Sequence, residues 1–248
     1  MAEKVLEVQG LTKAYPKFTL SGVSFSLERG RIMGLIGRNG AGKTTTLKSI
    51  FNLVHPDSGT VSILGLNMPA DESEIKKRIG YAGGAVDCYR RKKIGEITAV
   101  TKKFYDNWDN GVYSKYLEAF SLDEDKTPLE LSEGMKVKYN LTLALSHGAE
   151  LLILDEPTSG LDPVSRAELL DTFLFLKEKG ASILFSTHIT TDLEKCADDI
   201  SYLAGGRLIA SMPLEAFLEE HSKAGHGGNL EEIMVYHEKE SLYEKLTD

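Results

Sequence analysis

The chain is poor in cysteine: of its 248 residues only Cys88 and Cys196 are thiols, and their spacing is not that of metal ligands. A disulfide framework and a cysteine-built zinc site are thereby excluded. No apolar stretch approaches the ~20 residues that cross a bilayer. The first residues, Met1-Ala2-Glu3-Lys4, lack the apolar core of a signal peptide. There is no basic excess either. The formal net charge is −8, which argues against a general nucleic-acid binder, whose binding face is basic. Tryptophan occurs once, as Trp108, a residue read as a core or loop anchor. The expectation is a cytoplasmic chain whose contact with a membrane comes through a partner. Its length suits one large α/β domain or two small ones around a substantial core.

What is present centres on Gly37-Arg38-Asn39-Gly40-Ala41-Gly42-Lys43-Thr44, which fits the phosphate-binding pattern G-x-x-x-x-G-K-[ST]. The apolar run Ile32–Ile36 before it reads as a buried strand, and Thr44 to Asn52 after it has helical spacing, with Leu47, Ile50 and Phe51 inward. Backbone N–H groups of such a loop and of the helix start point at phosphate oxygens. Lys43 is expected to neutralise the β/γ-phosphates and the Thr44 hydroxyl to ligate Mg²⁺.

Along the rest of the chain, Val5–Val8 and Phe18–Leu27 read as strands, with Tyr15 on their connection. Thr60–Leu64 supplies a further strand, Asp71–Arg78 a short helix and Ile79–Ala82 a return to the sheet. From Ile94 to Ser146 helical periodicity takes over, interrupted around Asn107–Gly111 and at Pro128. Leu151–Leu154 is continuously apolar and ends in Asp155-Glu156; paired carboxylates there are costly without a cation nearby. Asp155 suits a Mg²⁺ ligand, and Glu156 a general base or water-orienting group. A second buried strand, Ala181–Ser186, ends at Thr187-His188. Asp199–Leu203 and Arg207–Ala210 form a hairpin. Beyond Pro213 the chain is helical and charged, broken at Gly225–Gly228. His221, His226 and His237 have no metal-type spacing and are expected on a solvated tail.

These segments together resemble the ATP-binding subunit of an ABC transporter over residues 1 to about 215. Tyr15 is similar to the adenine-stacking aromatic. Gly37, Asn39, Gly40, Ala41, Gly42, Lys43, Thr44 and Thr45 fall in the Walker A loop, and Leu131–Met135 at the ABC signature. Leu151–Glu156 matches Walker B, Ser159–Asp162 the D-loop, and His188 the switch histidine. The resemblance implies a P-loop NTPase of α/β class: a RecA-like core, an antiparallel β-subdomain and a helical subdomain at about 86–148. A C-terminal helical tail would follow at 216–248. It also implies ATP and Mg²⁺ as cofactors, catalysis by Glu156 and His188, and a metal site at Thr44 and Asp155. Two such subunits, alike or different, would close head to tail, Ser132 and Gly134 of one meeting the ATP of the other. A separate multi-span permease would hold the pair at the inner face of the cell membrane. No nucleic-acid partner is expected.

Two departures stand out. The signature reads LSEGM, so Glu133 must turn away from phosphate. At the Q-loop, Gly84 falls where a glutamine is usual, and Asp87 is a candidate to replace it. A finer resemblance, through Leu131–Lys136 and Phe104–Asp109, is to bacterial drug and peptide-antibiotic exporters. The alternatives are an ABC ATPase uncoupled from transport, such as one in iron–sulfur cluster assembly, and a non-hydrolysing ATP clamp.

Overall fold

Every residue of β3 (Ile32–Ile36) is buried, and its two faces serve different layers. Met33 and Leu35 join a cluster with Leu47, Ile50, Ile153 and Leu184. Ile32 and Ile36 join Leu152, Phe173 and Phe185 on the other side. Between them, Gly34 admits the Leu193 side chain so closely that an added Cβ would lie 2.0 Å from its Cδ2. A strand buried on both faces is continuously apolar, as this one is.

The computed structural model describes residues 3–83 and 89–247. β1 (Lys4–Tyr15) and β2 (Phe18–Glu28) form a long antiparallel hairpin, continued by β4 (Ser58–Ile63) and β5 (Leu66–Met68) in the order β2-β1-β4-β5. The second sheet adds β6 (Ile79–Gly83), β7 (Leu151–Asp155), β8 (Ser182–Thr187), β9 (Asp199–Ala204) and β10 (Arg207–Pro213) to β3. Its order is β10-β9-β3-β8-β7-β6, parallel except for β10. The helix α1 (Lys43–Ile50) packs between the sheets. The helices α2 (Glu72–Arg78), α6 (Pro163–Glu178), α7 (Thr190–Cys196), α8 (Leu214–Lys223) and α9 (Leu230–Thr247) complete the layers.

The stretch expected to be helical contains α3 (Ile94–Thr101), α4 (Asn110–Ala119) and α5 (Glu133–Ser146). They enclose a small core of Ile94, Leu122, Leu131 and Tyr139. The Tyr139 hydroxyl donates to the Ile94 carbonyl at 3.0 Å and lies 2.9 Å from Thr98 Oγ1. Burial pushes this phenol up to about 12. Trp108 is half-buried, its Nε1 donating to Asn110 Oδ1 at 3.1 Å, as expected of a loop anchor.

Two expectations are corrected. β1 runs on past Val8 to Tyr15, which pairs with Phe18 across the hairpin. Tyr15 therefore ends a strand and does not sit on a connection, because pairing with β2 continues to the turn. Nor is the histidine-bearing tail simply solvated. Leu214, Phe217, Leu230 and Ile233 pack into the main core, and His221, His226 and His237 are each half-buried and adjoin one another. The turn through Gly225–Gly228 folds α9 back onto α8 and α7. No helix among the described residues is long and apolar enough to cross a membrane.

Candidate functional site

Six residues separate β3 from α1, and two of their glycines are sterically required. A Cβ on Gly37 would lie 2.3 Å from the Leu203 carbonyl oxygen. Gly42 caps α1 at φ 111, a left-handed conformation with little penalty only for glycine. Ala41 N donates to Arg38 O at 3.0 Å, closing the loop. The loop so formed brings its backbone amides and the helix start to one concave surface, a ready anion site.

The Lys43 side chain folds back over this loop and is only 5% exposed. Its ammonium donates to Gly37 O at 2.7 Å and lies 3.1 Å from Glu156 Oε1. A buried cation needs such partners, and phosphate oxygens would serve equally well. Thr44 Oγ1 donates to Asp155 Oδ1 at 3.3 Å, bringing two hard oxygen donors together at the helix start. Such donors fit a magnesium ion by their chemistry.

Asp155 closes β7, where ligands bind in open parallel sheets. Its Oδ1 accepts from Ser186 Oγ at 2.5 Å, and the same Ser186 Oγ accepts from Glu156 N at 2.9 Å. One fully buried serine of β8 thus positions both acidic residues. The Tyr81 phenol on β6 is raised, by burial first and by the Asp155 charge second. Glu156 has φ 51, a conformation costly for a non-glycine residue and typical of sites where geometry is imposed. Its carboxylate is bracketed, Oε1 by Lys43 and Oε2 by His188 Nδ1 at 2.8 Å.

Lys43, Thr44, Glu156 and His188 line a cleft of about 570 Å³, within the range of small-molecule sites, and Asp155 lines a smaller adjoining cavity with Glu156 and Ser159. Arg38, Asn39, Gly40, Gly42, Lys43, Thr44, Thr45, Glu156 and His188 border the larger cleft, together with Lys17, Phe18 and Ser159. Gly37 and Ala41 form the loop's underside, against Leu203 and in the core respectively. Tyr15 is 41% exposed and does not line the cleft; the ring that does is Phe18, its cross-strand neighbour.

Ser132 and Gly134 are placed elsewhere. Ser132 caps α5, its Oγ accepting from Met135 N at 3.2 Å. Gly134 is buried, facing Leu161 and Ser165. Neither borders the cleft. Glu133 pairs with Lys136 at 2.6 Å along its own helix, which is how an acidic residue is accommodated at that helix start. Gly84 and Asp87 lie outside the described residues.

Sequence reasoning missed Ser186, Lys17 and Phe18, while Ser159 opens the stretch already read as similar to the D-loop. Ser186 had a signal: it closes an apolar run two residues before His188, as Asp155 closes the run before Glu156. Phe18 had none, since nothing in the sequence separates its ring from that of Tyr15.

A family model described as ABC transporter matches residues 20–159. The linearmycin resistance ATP-binding protein LnrL of Bacillus subtilis (strain 168) is 36% identical over 213 residues, covering 83% of this chain and 68% of the relative. The bacitracin transport ATP-binding protein BcrA of Bacillus licheniformis is 31% identical over 223 residues, covering 88% and 73%. A solved ATP-binding subunit of an ABC transporter superposes with a TM-score of 0.81 at 31% identity, over 93% of this chain and 98% of that one.

Proposed function

The chain belongs to the ABC transporter family as an ATP-binding subunit, and from that premise we propose that it works as a head-to-tail pair driving export through a multi-span permease. It binds ATP and hydrolyses it to power transport by a membrane partner. The proposed location is the cytoplasmic face of the cell membrane, held there by that partner. Export is supported by the resistance and transport roles in the names of the two relatives. Neither relative lends support to an ABC ATPase uncoupled from transport.

In the proposed mechanism the phosphates enter the loop and take over the Lys43 ammonium from Gly37 O and Glu156. Glu156 is then released to orient water, with His188 beside the γ-phosphate. Thr44 and Asp155 would hold Mg²⁺, which when bound neutralises charge on the phosphate oxygens. Tyr15 would stack on adenine at the open rim, next to Phe18. Ser132 and the amides at the start of α5 would meet the γ-phosphate of the partner's ATP. Each such charge-assisted hydrogen bond contributes about 1.5–3 kcal/mol. ATP therefore favours the closed pair, and loss of the γ-phosphate opens it. A ligand shifts a conformational equilibrium by its differential affinity for the two states.

The observation that carries the catalytic reading is the Glu156 carboxylate held between Lys43 and His188, against the phosphate loop. Glu156→Gln is expected to retain ATP binding, to lower hydrolysis by about 10²–10⁴-fold and to accumulate an ATP-dependent dimer in size-exclusion chromatography. Undiminished hydrolysis would remove Glu156 from its role.

A further inference from the structure

Three histidines converge where α8 hands the chain to α9. His221 lies in the last turn of α8, His226 in the connection and His237 about two turns into α9. The connection reverses tightly, with His226 N donating to His221 O at 2.9 Å. One ring nitrogen from each histidine lies within 4.8 Å of the other two. Among the described residues no other three potential ligands are so grouped.

The protonation pattern favours a shared ion. His221 Nδ1 is 2.9 Å from the Phe217 carbonyl oxygen. A carbonyl can only accept, so the proton resides on Nδ1 and Nε2 is left with its lone pair. This is how metal-binding imidazoles are commonly oriented, by a backbone carbonyl on the far nitrogen. That Nε2 faces His237 Nε2 at 3.1 Å. Two nitrogens on one tetrahedral zinc, at the usual bond length, stand about 3.3 Å apart. The buried His226 Nδ1 has no hydrogen-bond partner, an arrangement that is unfavourable unless something fills it. Its ring is held by stacking on Tyr236, centroids 4.1 Å apart, and the His221 ring packs on Phe217 at the same distance.

We propose that His221, His226 and His237 form a binding site for a divalent late first-row transition ion of the zinc type, which ties α9 to α8. Three neutral imidazoles suit zinc, nickel or copper and are poor ligands for magnesium or calcium. The site lies apart from the nucleotide cleft. Its occupancy nevertheless bears on that cleft's border, because Met234, Val235 and Lys239 of α9 line a neighbouring cavity of about 640 Å³ with Arg38 and His188. A filled site fixes α9 there by joining it to the preceding helix across the Gly225–Gly228 turn.

The test uses the full chain without a histidine tag, in the absence of nucleotide, with zinc sulfate titrated against a chromophoric chelator. One equivalent is expected to bind and to raise Tm. His226→Gln and His237→Gln are each expected to weaken binding at least about tenfold while retaining ATP binding. A Cys88→Ser, Cys196→Ser variant is expected to bind zinc as the parent does. Cobalt(II) in place of zinc gives a readout that needs no variant: visible ligand-field bands without thiolate charge transfer. Absence of stoichiometric zinc binding overturns the proposal. So does equal affinity in the parent and both histidine variants, or loss of binding in the cysteine variant.

Discussion

Glu156 cannot be understood from its own side chain. Its backbone stands at φ 51, and what holds it there includes Ser186, whose carbonyl and hydroxyl both accept from Glu156 N, at 3.1 and 2.9 Å. The same hydroxyl donates to Asp155. Ser186→Ala leaves the half-buried Asp155 carboxylate short of a donor, with an expected loss of about 1 kcal/mol in stability, measurable by chemical denaturation. It should also lower kcat more than it raises KM for ATP, since Lys43 and the loop amides are untouched. Ser186→Thr, which keeps the hydroxyl, is expected to restore much of kcat; failure of that rescue would show that volume, not the hydrogen bond, matters. Residue by residue, the site was legible where chemistry is contiguous in the chain. The loop Gly37–Thr44 and the pair Asp155-Glu156 announce themselves because a buried strand delivers each to a ligand-binding edge. Ser186 reaches the same edge from a neighbouring strand, and only the β7–β8 register, Asp155 opposite Ser186, reveals it.

At the scale of elements, one carboxylate stitches the two sheets together. Glu150, just before β7, accepts from Arg78 at the end of α2 at 2.8 Å and from Arg29 after β2 at 3.0 Å. Arg29 also binds Glu3, at the start of the hairpin sheet. Partial burial opposes ionisation of Glu150, but the Arg78 and Arg29 guanidiniums outweigh it and hold its carboxyl below the ordinary value of 4.5. A depressed carboxyl contributes stability that is fully present above the unfolded-state value and is lost as pH falls through the folded one. Thermal unfolding between about pH 6 and pH 3 should therefore show a decline that flattens in Glu150→Gln. That variant is also expected to lose about 1 kcal/mol at neutral pH. An unchanged pH profile would mean that the network contributes nothing net. Most elements were legible from periodicity, including the switch to helix at Ile94 and the β9–β10 hairpin. Two features were not. The reach of β1 to Tyr15 depends on its pairing partner, and the meeting of His221, His226 and His237 depends on a turn that brings positions 5 and 11 residues apart in sequence onto one spot.

At the scale of the whole molecule, the contacts proposed for ATP are split between the phosphate cleft and the start of α5. The phosphate loop and Glu156 border one cleft, while Ser132 caps α5 outside it. The resemblance carried by six motifs in order anticipated the α/β class and the family, because that order leaves little freedom. It could not show that Ser132 and Gly134 stand away from the phosphate cleft, since that follows from how the α3–α5 helices stand on the core. The separation sets the reaction order. Where each cleft borrows its missing contacts from another subunit, an isolated subunit turns over poorly and total ATPase rate rises with the square of protein concentration at the dilute end. Specific activity of the detergent-free subunit is then expected to fall on dilution and to level off when the pair is saturated. A rate strictly proportional to protein across a hundredfold dilution would mean that one chain completes its own site.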